Sequence, residues 1–234
     1  MTPASRDCTL VIPAYNEERR IGTVLKDLNG YAGLVIFVCD GTDRTAKIVR
    51  EYAASRPDCR ISCLEFSRRL GKGGGVRAGL MAATTPYAGF MDADGSTPIR
   101  EMERLFQKLD AHDGAIGSRW IHGADVRIPQ SLSRRMQSRL FNLWVKLLFG
   151  LSYSDTQCGA KAFTKEALDA VLPVMVSDGF EFDVELLWRM RRAGYDVAEV
   201  PITWEDREES SVKTGAGLEM ALRLVRVRSG KQPE

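Results

Sequence analysis

The stretch from residue 87 to 98 constrains the fold more than any other part of the sequence. Residues 87–91 form a short apolar run that reads as a buried strand. Asp92 and Asp94 follow at its end. Side chains alternate along extended chain, so both carboxylates can point one way while Ala93 points the other. Two hard oxygen donors on one side suit Mg²⁺ or Mn²⁺, ions that also take waters and substrate phosphates as ligands. Gly95 lets the chain turn, Thr97 is a good N-cap, Pro98 suits the first helical position and Glu101 falls in the first turn. The unit is strand, acidic loop, helix. As a bare pattern, the two aspartates serve equally as turn and cap residues.

The same alternation runs through the first half of the chain. Residues 8–13 read as a strand closed by Pro13, and Ala14, Tyr15 and Asn16 lead into a helix from about residue 17 to 28. A strand at 34–39 is apolar throughout, as expected when both faces of a sheet are covered. A turn at 40–43, a helix at 45–55, a strand at 61–66 and a glycine-rich stretch opening a helix through Ala83 complete the series. Alternating strands and helices predict a mainly parallel α/β sheet with ligands at the carboxyl ends of its strands. The second half is less regular. It suggests a strand at 115–117, helices at 131–149 and 182–193, a strand at 197–203 and a basic helix at 218–228.

Composition narrows the function. Lys and Arg number 33 against 31 Asp and Glu, so no global charge points to nucleic acid. The five scattered cysteines fit a reducing cytosol better than a disulfide framework, and with two histidines a zinc site is not expected. The opening residues carry no apolar core of a signal peptide. The longest greasy segment, 140–151, is interrupted by Asn142 and Lys146 and falls short of the ~20 residues that span a bilayer. A cytoplasmic protein that is peripheral to a membrane, if it meets one, is expected.

Several local patterns admit two readings. Gly71, Lys72 and Gly73 to Gly75 can bring backbone close to an anion, or form a tight turn. Asp40 can hydrogen-bond a base or ribose, or serve the turn. Glu17 can contact a nucleotide, or favour a helix N-terminus.

Taken together, these pieces resemble the family-2 glycosyltransferases of GT-A fold. The resemblance rests on residues 11–18 (Val-Ile-Pro-Ala-Tyr-Asn-Glu-Glu), Asp40-Gly41-Thr42, Gly71-Lys72-Gly73 and Asp92-Ala93-Asp94, in that order and spacing. Gly117-Ser118-Arg119, residues 155–163 (Asp-Thr-Gln-Cys-Gly-Ala-Lys-Ala-Phe) and Phe182-Asp183-Val184-Glu185-Leu186 extend it to the dolichyl-phosphate glucose and mannose synthase branch. It covers residues 8–213, which implies one catalytic domain over 1–213 followed by a basic helix and tail over 214–234. It implies that Pro13, Tyr15, Glu17 and Asp40 hold the nucleoside, that Lys72 and Asp92 hold the nucleotide, and that Asp94, with Asp92 beside it, binds the metal. Arg119, Arg134 and Ser138 match positions that grip a lipid phosphate, and Arg207 and Lys213 match a basic pair in a closing loop. Cys39 stands where the family often has an acid, and Val212 where it usually has Ser.

The implied reaction is inverting transfer of a hexose from a nucleotide sugar to a polyprenyl (dolichyl) phosphate, with Asp92, Asp94 and Arg119 at its centre. UDP-glucose is the favoured donor and GDP-mannose the alternative; a soluble hydroxyl acceptor and a non-catalytic nucleotide-sugar-binding subunit are the other readings. A phosphate acceptor is ionised at neutral pH and needs no base, whereas a hydroxyl needs one, for which Asp155 and Asp183 are the candidates. Residues 125–155 contain no acid between their ends but carry Arg127, Arg134, Arg135, Arg139 and Lys146. The apolar face of Leu140, Phe141, Trp144 and Leu148 beside these cations is either core or a helix lying on a membrane surface, with firmer attachment calling for a separate membrane-anchoring protein.

Overall fold

The computed structural model describes residues 3–128, 132–205 and 216–228. Strands β1 (Cys8–Ala14), β2 (Leu34–Cys39), β3 (Arg60–Glu65) and β4 (Tyr87–Phe90) alternate with helices α1 (Ile21–Asp27), α2 (Thr45–Ser55) and α3 (Gly71–Ala82). Then follow α4 (Ile99–Lys108), β5 (Gly114–Ser118), β6 (Asp125–Ile128), α5 (Leu132–Phe149), β7 (Lys161–Thr164), α6 (Lys165–Val171), α7 (Phe182–Arg192), β8 (Val197–Pro201), β9 (Thr203–Glu205) and α8 (Ala216–Arg228). Seven strands form one sheet in the order β3-β2-β1-β4-β7-β5-β8, and β6 and β9 pair separately. Every pairing is parallel except those of β7, which runs antiparallel to both β4 and β5. The mainly parallel α/β expectation holds.

Strands β1 and β2 are covered on both faces, which is why they are apolar without alternation, whereas the edge strand β3 stays partly exposed. Along β1, Leu10 and Ile12 enter a core shared with Ile21, Val24 and Leu25 of α1, Val49 of α2 and Met102 and Phe106 of α4. Val11 points the other way, into a core with Val76 and Leu80 of α3, Phe182 and Leu186 of α7 and Leu224 of α8. Each such buried Leu, Ile or Phe contributes about 1.5–3 kcal/mol relative to exposure.

Four local expectations are corrected. The helix expected from residue 17 begins only at Ile21, because the backbone N–H groups of Glu17 and Glu18 go to Thr45 Oγ1 and the Asp43 carboxylate. Residues 71–75 are not a loop but the first turns of α3. Thr97 does not cap α4: Pro98 stands at the N-cap without a side-chain bond, and the Ile99 N–H donates 2.6 Å to Asp27 Oδ2 at the end of α1. The strand expected at 197–203 breaks into β8 and β9.

On helix α5 the structure takes the core reading for three of the four apolar residues singled out. Val145 and Phe149 are buried, and Phe141, Trp144 and Leu148 pack against the core beside them. Only Leu140 of the quartet is exposed, and it lines up with Met136, Leu143 and Leu147. That spacing of four, three and four is one helical stripe. Among the described residues no helix is long and apolar enough to cross a membrane.

The Asp27 cap ties α1 to α4. Asp27→Ala should lower the unfolding free energy by about 1 kcal/mol, the usual scale for a lost N-cap, measured as a shifted urea midpoint with unchanged slope.

Candidate active site

The carboxyl ends of β1, β2 and β4 open onto one edge of the sheet, and the N-terminus of α3 meets them there. The Met91 N–H still donates to Val11 O at 3.0 Å, so the chain leaves the sheet only at Asp92. Gly95 has φ +72°, which makes the tight turn that follows. Asp94 Oδ1 accepts the Ser96 N–H at 2.8 Å.

A chain of alternating charges runs from this loop into the sheet. Lys72 Nζ lies 2.9 Å from Asp92 Oδ1 and 3.4 Å from Asp183 Oδ2. Asp183 Oδ1 in turn accepts from Lys161 Nζ at 2.5 Å. Burial disfavours the Lys72 ammonium, but Asp183 and Asp92 outweigh it and hold it firmly protonated. Burial likewise opposes the Asp183 anion, yet Lys161 and Lys72 keep its carboxyl below the ordinary range. Asp94 is the exception: burial, then the charge of Asp92, raise its carboxyl above the ordinary value.

The glycines of α3 make the approach of Lys72 sterically feasible. A methyl on Gly73 would stand 2.5 Å from Phe182 Cβ, and one on Gly79 would stand 2.3 Å from Val11 Cγ1. Gly71 has φ +78° and lies against the backbone of Asp178. These residues seat α3 on α7 and β1, which is close helix packing and not an anion cradle. Gly159 does the same for the acidic loop: a methyl there would lie 1.9 Å from Asp92 Oδ2.

On the β1–β2 side, Tyr15, Glu17, Arg20 and Asp43 line an open recess of about 400 Å³. Arg69 lies 3.9 Å above the Tyr15 ring, and Arg20 holds both oxygens of Glu17 at 2.7 and 2.8 Å. Asn16, at φ +56°, accepts the Thr42 N–H at 2.9 Å through its side chain. Asp40 is largely buried and accepts the Leu70 N–H at 2.7 Å, so it fastens β2 to the entry of α3. β1 runs one residue past the expected end at Pro13, to Ala14, and Pro13 faces Gly75. Cys39 takes no part in the recess; its sulfur is 3.6 Å from that of Cys63.

On the β5 side, Arg119 grips Asp155 with Nε at 2.7 Å and Nη2 at 2.9 Å, and its own N–H adds a third bond at 3.1 Å. Its guanidinium also faces the Trp204 ring at 5.2 Å. Asp155 and Asp183, the two aspartates considered as bases, are both buried and both committed to cations. The Cys158 thiol is buried and pushed up to about 12 by that burial, then by Asp155, so it is no nucleophile. The side chains of Arg134 and Ser138, and residues Arg207 and Lys213 altogether, lie outside the described residues.

The structure places Lys72 against Asp92, with Asp94 in the same loop, and adds Lys161 and Gly159, which sequence reasoning overlooked. The signal was present in residues 158–163, where a lysine sits among Ala and Phe. Among the described residues no three His, Cys, Asp or Glu groups cluster as a metal cage. Asp94 and Asp92 offer hard oxygens only, which fits an ion whose other ligands come from water and a diphosphate.

The family model described as glycosyl transferase family 2 matches residues 9–172. A dolichyl-phosphate beta-glucosyltransferase of Dictyostelium discoideum is 30% identical, over 94% of this chain and 73% of its own length. A polyprenol monophosphomannose synthase of Mycolicibacterium smegmatis is 32% identical, over 85% of this chain and 77% of its own. Among solved structures, glucosyl-3-phosphoglycerate synthase from Mycobacterium tuberculosis, in complex with Mn²⁺, UDP and glucosyl-3-phosphoglycerate, superposes with a TM-score of 0.69 at 17% identity, covering 98% of this chain and 81% of that one.

The raised Asp94 carboxyl has a consequence for stability. A group whose folded-state pKa is raised favours folding below its unfolded value of about 3.9 and loses that contribution as the pH rises through the folded value. Asp94→Asn should therefore be more thermally stable than wild type at pH 7 in EDTA. The difference should close as the pH falls below about 3.9, as calorimetric scans across pH would show.

Proposed function

The chain belongs to glycosyl transferase family 2, and on that premise we propose that it moves a hexose from a nucleotide sugar to a polyprenyl phosphate with inversion. Glucose from UDP-glucose is the donor we favour, since relatives of 30–32% identity carry the name dolichyl-phosphate beta-glucosyltransferase.

The observation that carries this reading is the fate of the two aspartates considered as bases. Asp155 is spent on Arg119, and Asp183 is buried between two lysines. A hydroxyl acceptor would need one of them free. A phosphomonoester, with a second pKa near ~6, arrives at neutral pH as an anion and attacks without help. One of its oxygens forms the new bond to the anomeric carbon as the bond to the nucleoside diphosphate breaks. The electron pair leaves on the diphosphate.

The residues present divide this work. Lys72, the rim cation at the acidic loop, meets the charge gathering on the leaving diphosphate. Asp94, with Asp92 beside it, would hold a Mg²⁺ or Mn²⁺ ion, which when bound neutralises that same charge as a Lewis acid. Tyr15, Glu17, Pro13 and Asp40 border the side where the nucleoside would lie. Arg119 commits Nε and Nη2 to Asp155, which leaves Nη1 of its fork for an acceptor phosphate. Arg134, Ser138, Arg207 and Lys213 would complete that grip. We read residues 1–213 as one catalytic domain. The basic helix that follows is seated on it by Leu224 and Val227.

The outward stripe of α5 suits a membrane surface. Met136, Leu140, Leu143 and Leu147 are exposed together, with Arg139 exposed beside them. A helix with this mixture lies in the headgroup plane, and attachment there is reversible. Firmer anchoring would fall to a separate membrane protein.

Incubation with membranes, Mg²⁺ or Mn²⁺ and labelled sugar nucleotides should place label in organic-phase lipid, with UDP-glucose the best donor. EDTA should abolish transfer, and Asp94→Asn should lower it by a factor on the order of 10² or more, the scale of one lost electrostatic contact in the transition state. Label that stays in water-soluble product would overturn the acceptor.

Anionic liposomes at low salt should bind the protein, and added salt should release it. The double variant Leu143→Ser and Leu147→Ser should bind them about tenfold or more weakly, given the ~1.5–3 kcal/mol available per fully buried leucine. Its affinity for UDP should be unchanged. Wild type that ignores such liposomes would show that the membrane contact lies elsewhere.

A further inference from the structure

Lys161 is wholly buried in the sheet, at the start of β7 and paired in register with Phe90 of β4. An ammonium in such a place costs several kcal/mol of hydration, and an apolar pair of similar volume would fill the space without that cost. Its bonds are well defined: 2.6 Å to Cys158 O, 2.5 Å to Asp183 Oδ1, with the Phe90 ring 5.5 Å away. It does not reach the acidic loop. Its effect passes through Asp183, which is itself almost fully buried and divides its two oxygens between Lys161 and Lys72.

The lengths of the bonds show how the division falls. Lys161 takes the shorter contact with Asp183, and Lys72 is left nearer to Asp92, at 2.9 Å, than to Asp183, at 3.4 Å. With Lys161 gone, Asp183 would be an anion with one oxygen unsatisfied, and Lys72 would be the cation within reach. The flexible lysine stem would then turn inward and leave Asp92.

We propose that Lys161 is a positioning residue for Lys72: by saturating the inner oxygen of Asp183 it keeps the Lys72 ammonium at the rim, bonded to Asp92 and directed at the diphosphate of the donor. The assignment rests on the proposed function, which makes this rim the diphosphate site. It differs from a packing role in one respect. Removing the charge of Lys161 alone should harm the site, whereas removing the charges of Lys161 and Asp183 together should spare it, because nothing then draws Lys72 inward.

The test is calorimetric titration of the full chain with UDP in EDTA, so that no metal contributes. Wild type, Lys72→Met, Lys161→Met and the double variant Lys161→Met with Asp183→Asn are compared. Lys72→Met and Lys161→Met should each bind about tenfold more weakly, the scale of one lost charge-assisted hydrogen bond. The double variant should return to within about threefold of wild type. A packing role predicts the reverse order, with the double variant the more damaged. If Lys161→Met does not fold, the neutral double variant decides alone, and weak binding there overturns the proposal. Wild-type affinity in Lys161→Met overturns it too. Failure of wild type itself to bind UDP, in EDTA and again with Mg²⁺ present, would instead remove the diphosphate site, and with it the function on which the proposal rests.

Discussion

A buried carboxylate with two ammonium partners holds the candidate site together. Asp183 belongs to the first turn of α7, Lys161 to β7, Lys72 to the first turn of α3, and Asp92 to the loop after β4. Four elements far apart in sequence thus meet in one line of alternating charge. Removing a partner from a buried pair is far more damaging than its net contribution suggests, because an uncompensated charge is left behind. The line therefore fixes geometry even where it adds little to stability. Asp94 lies just outside the line, and among the described residues no ion pair engages it, which on the proposed function leaves it for an ion that arrives with substrate.

Such a line requires backbones to come closer than ordinary side chains allow. Gly73 admits Phe182, Gly79 admits Val11, and Gly159 admits the Asp92 carboxylate itself. The β4–β7 pairing supplies the remaining constraint. Because β7 runs antiparallel, its first residue and not its last lies at the carboxyl end of β4, opposite Phe90. A parallel strand would carry Lys161 to the far edge of the sheet. The single reversal in an otherwise parallel sheet is what brings the buried lysine to the site.

Much of this was legible in the sequence. Strands β1 and β2 are apolar because both faces are covered, and Asp92 and Asp94 sit where β4 ends at the carboxyl edge of the sheet. Lys72 does meet Asp92, but its local setting differs from the one expected: its glycines read as a loop because their helix propensity is poor, and close packing on α7 and β1 overrides that propensity. Strand β7 escaped notice because it has four residues and opens on a lysine, the reverse of an apolar run. The cap on α4 escaped because Asp27 lies 72 positions away from the N–H it satisfies. On α5 the period was legible but not which side turns inward, since Trp144 and Leu143 are adjacent in sequence and only the position of the core decides between them.

On the proposed function, a phosphate acceptor accounts for the way the carboxylates are used. An enzyme that must remove a proton from a hydroxyl has to keep a base accessible, near neutral pKa and free of cations. Here Asp155 is bound at both oxygens by Arg119, and Asp183 is held below the ordinary carboxylate range between two lysines. Both acids have been turned to holding cations in place. Such a site can dispense with a base only if its nucleophile is already ionised when it arrives. A phosphate on a lipid meets that condition and carries its reactive oxygens at the headgroup level, where a protein lying on the surface can reach them. On that reading the same cations have two tasks, with Lys72 facing the diphosphate that leaves and Arg119 the phosphate that enters. Asp155 holds Arg119 on the β5 side, while Asp92 holds Lys72 at the acidic loop.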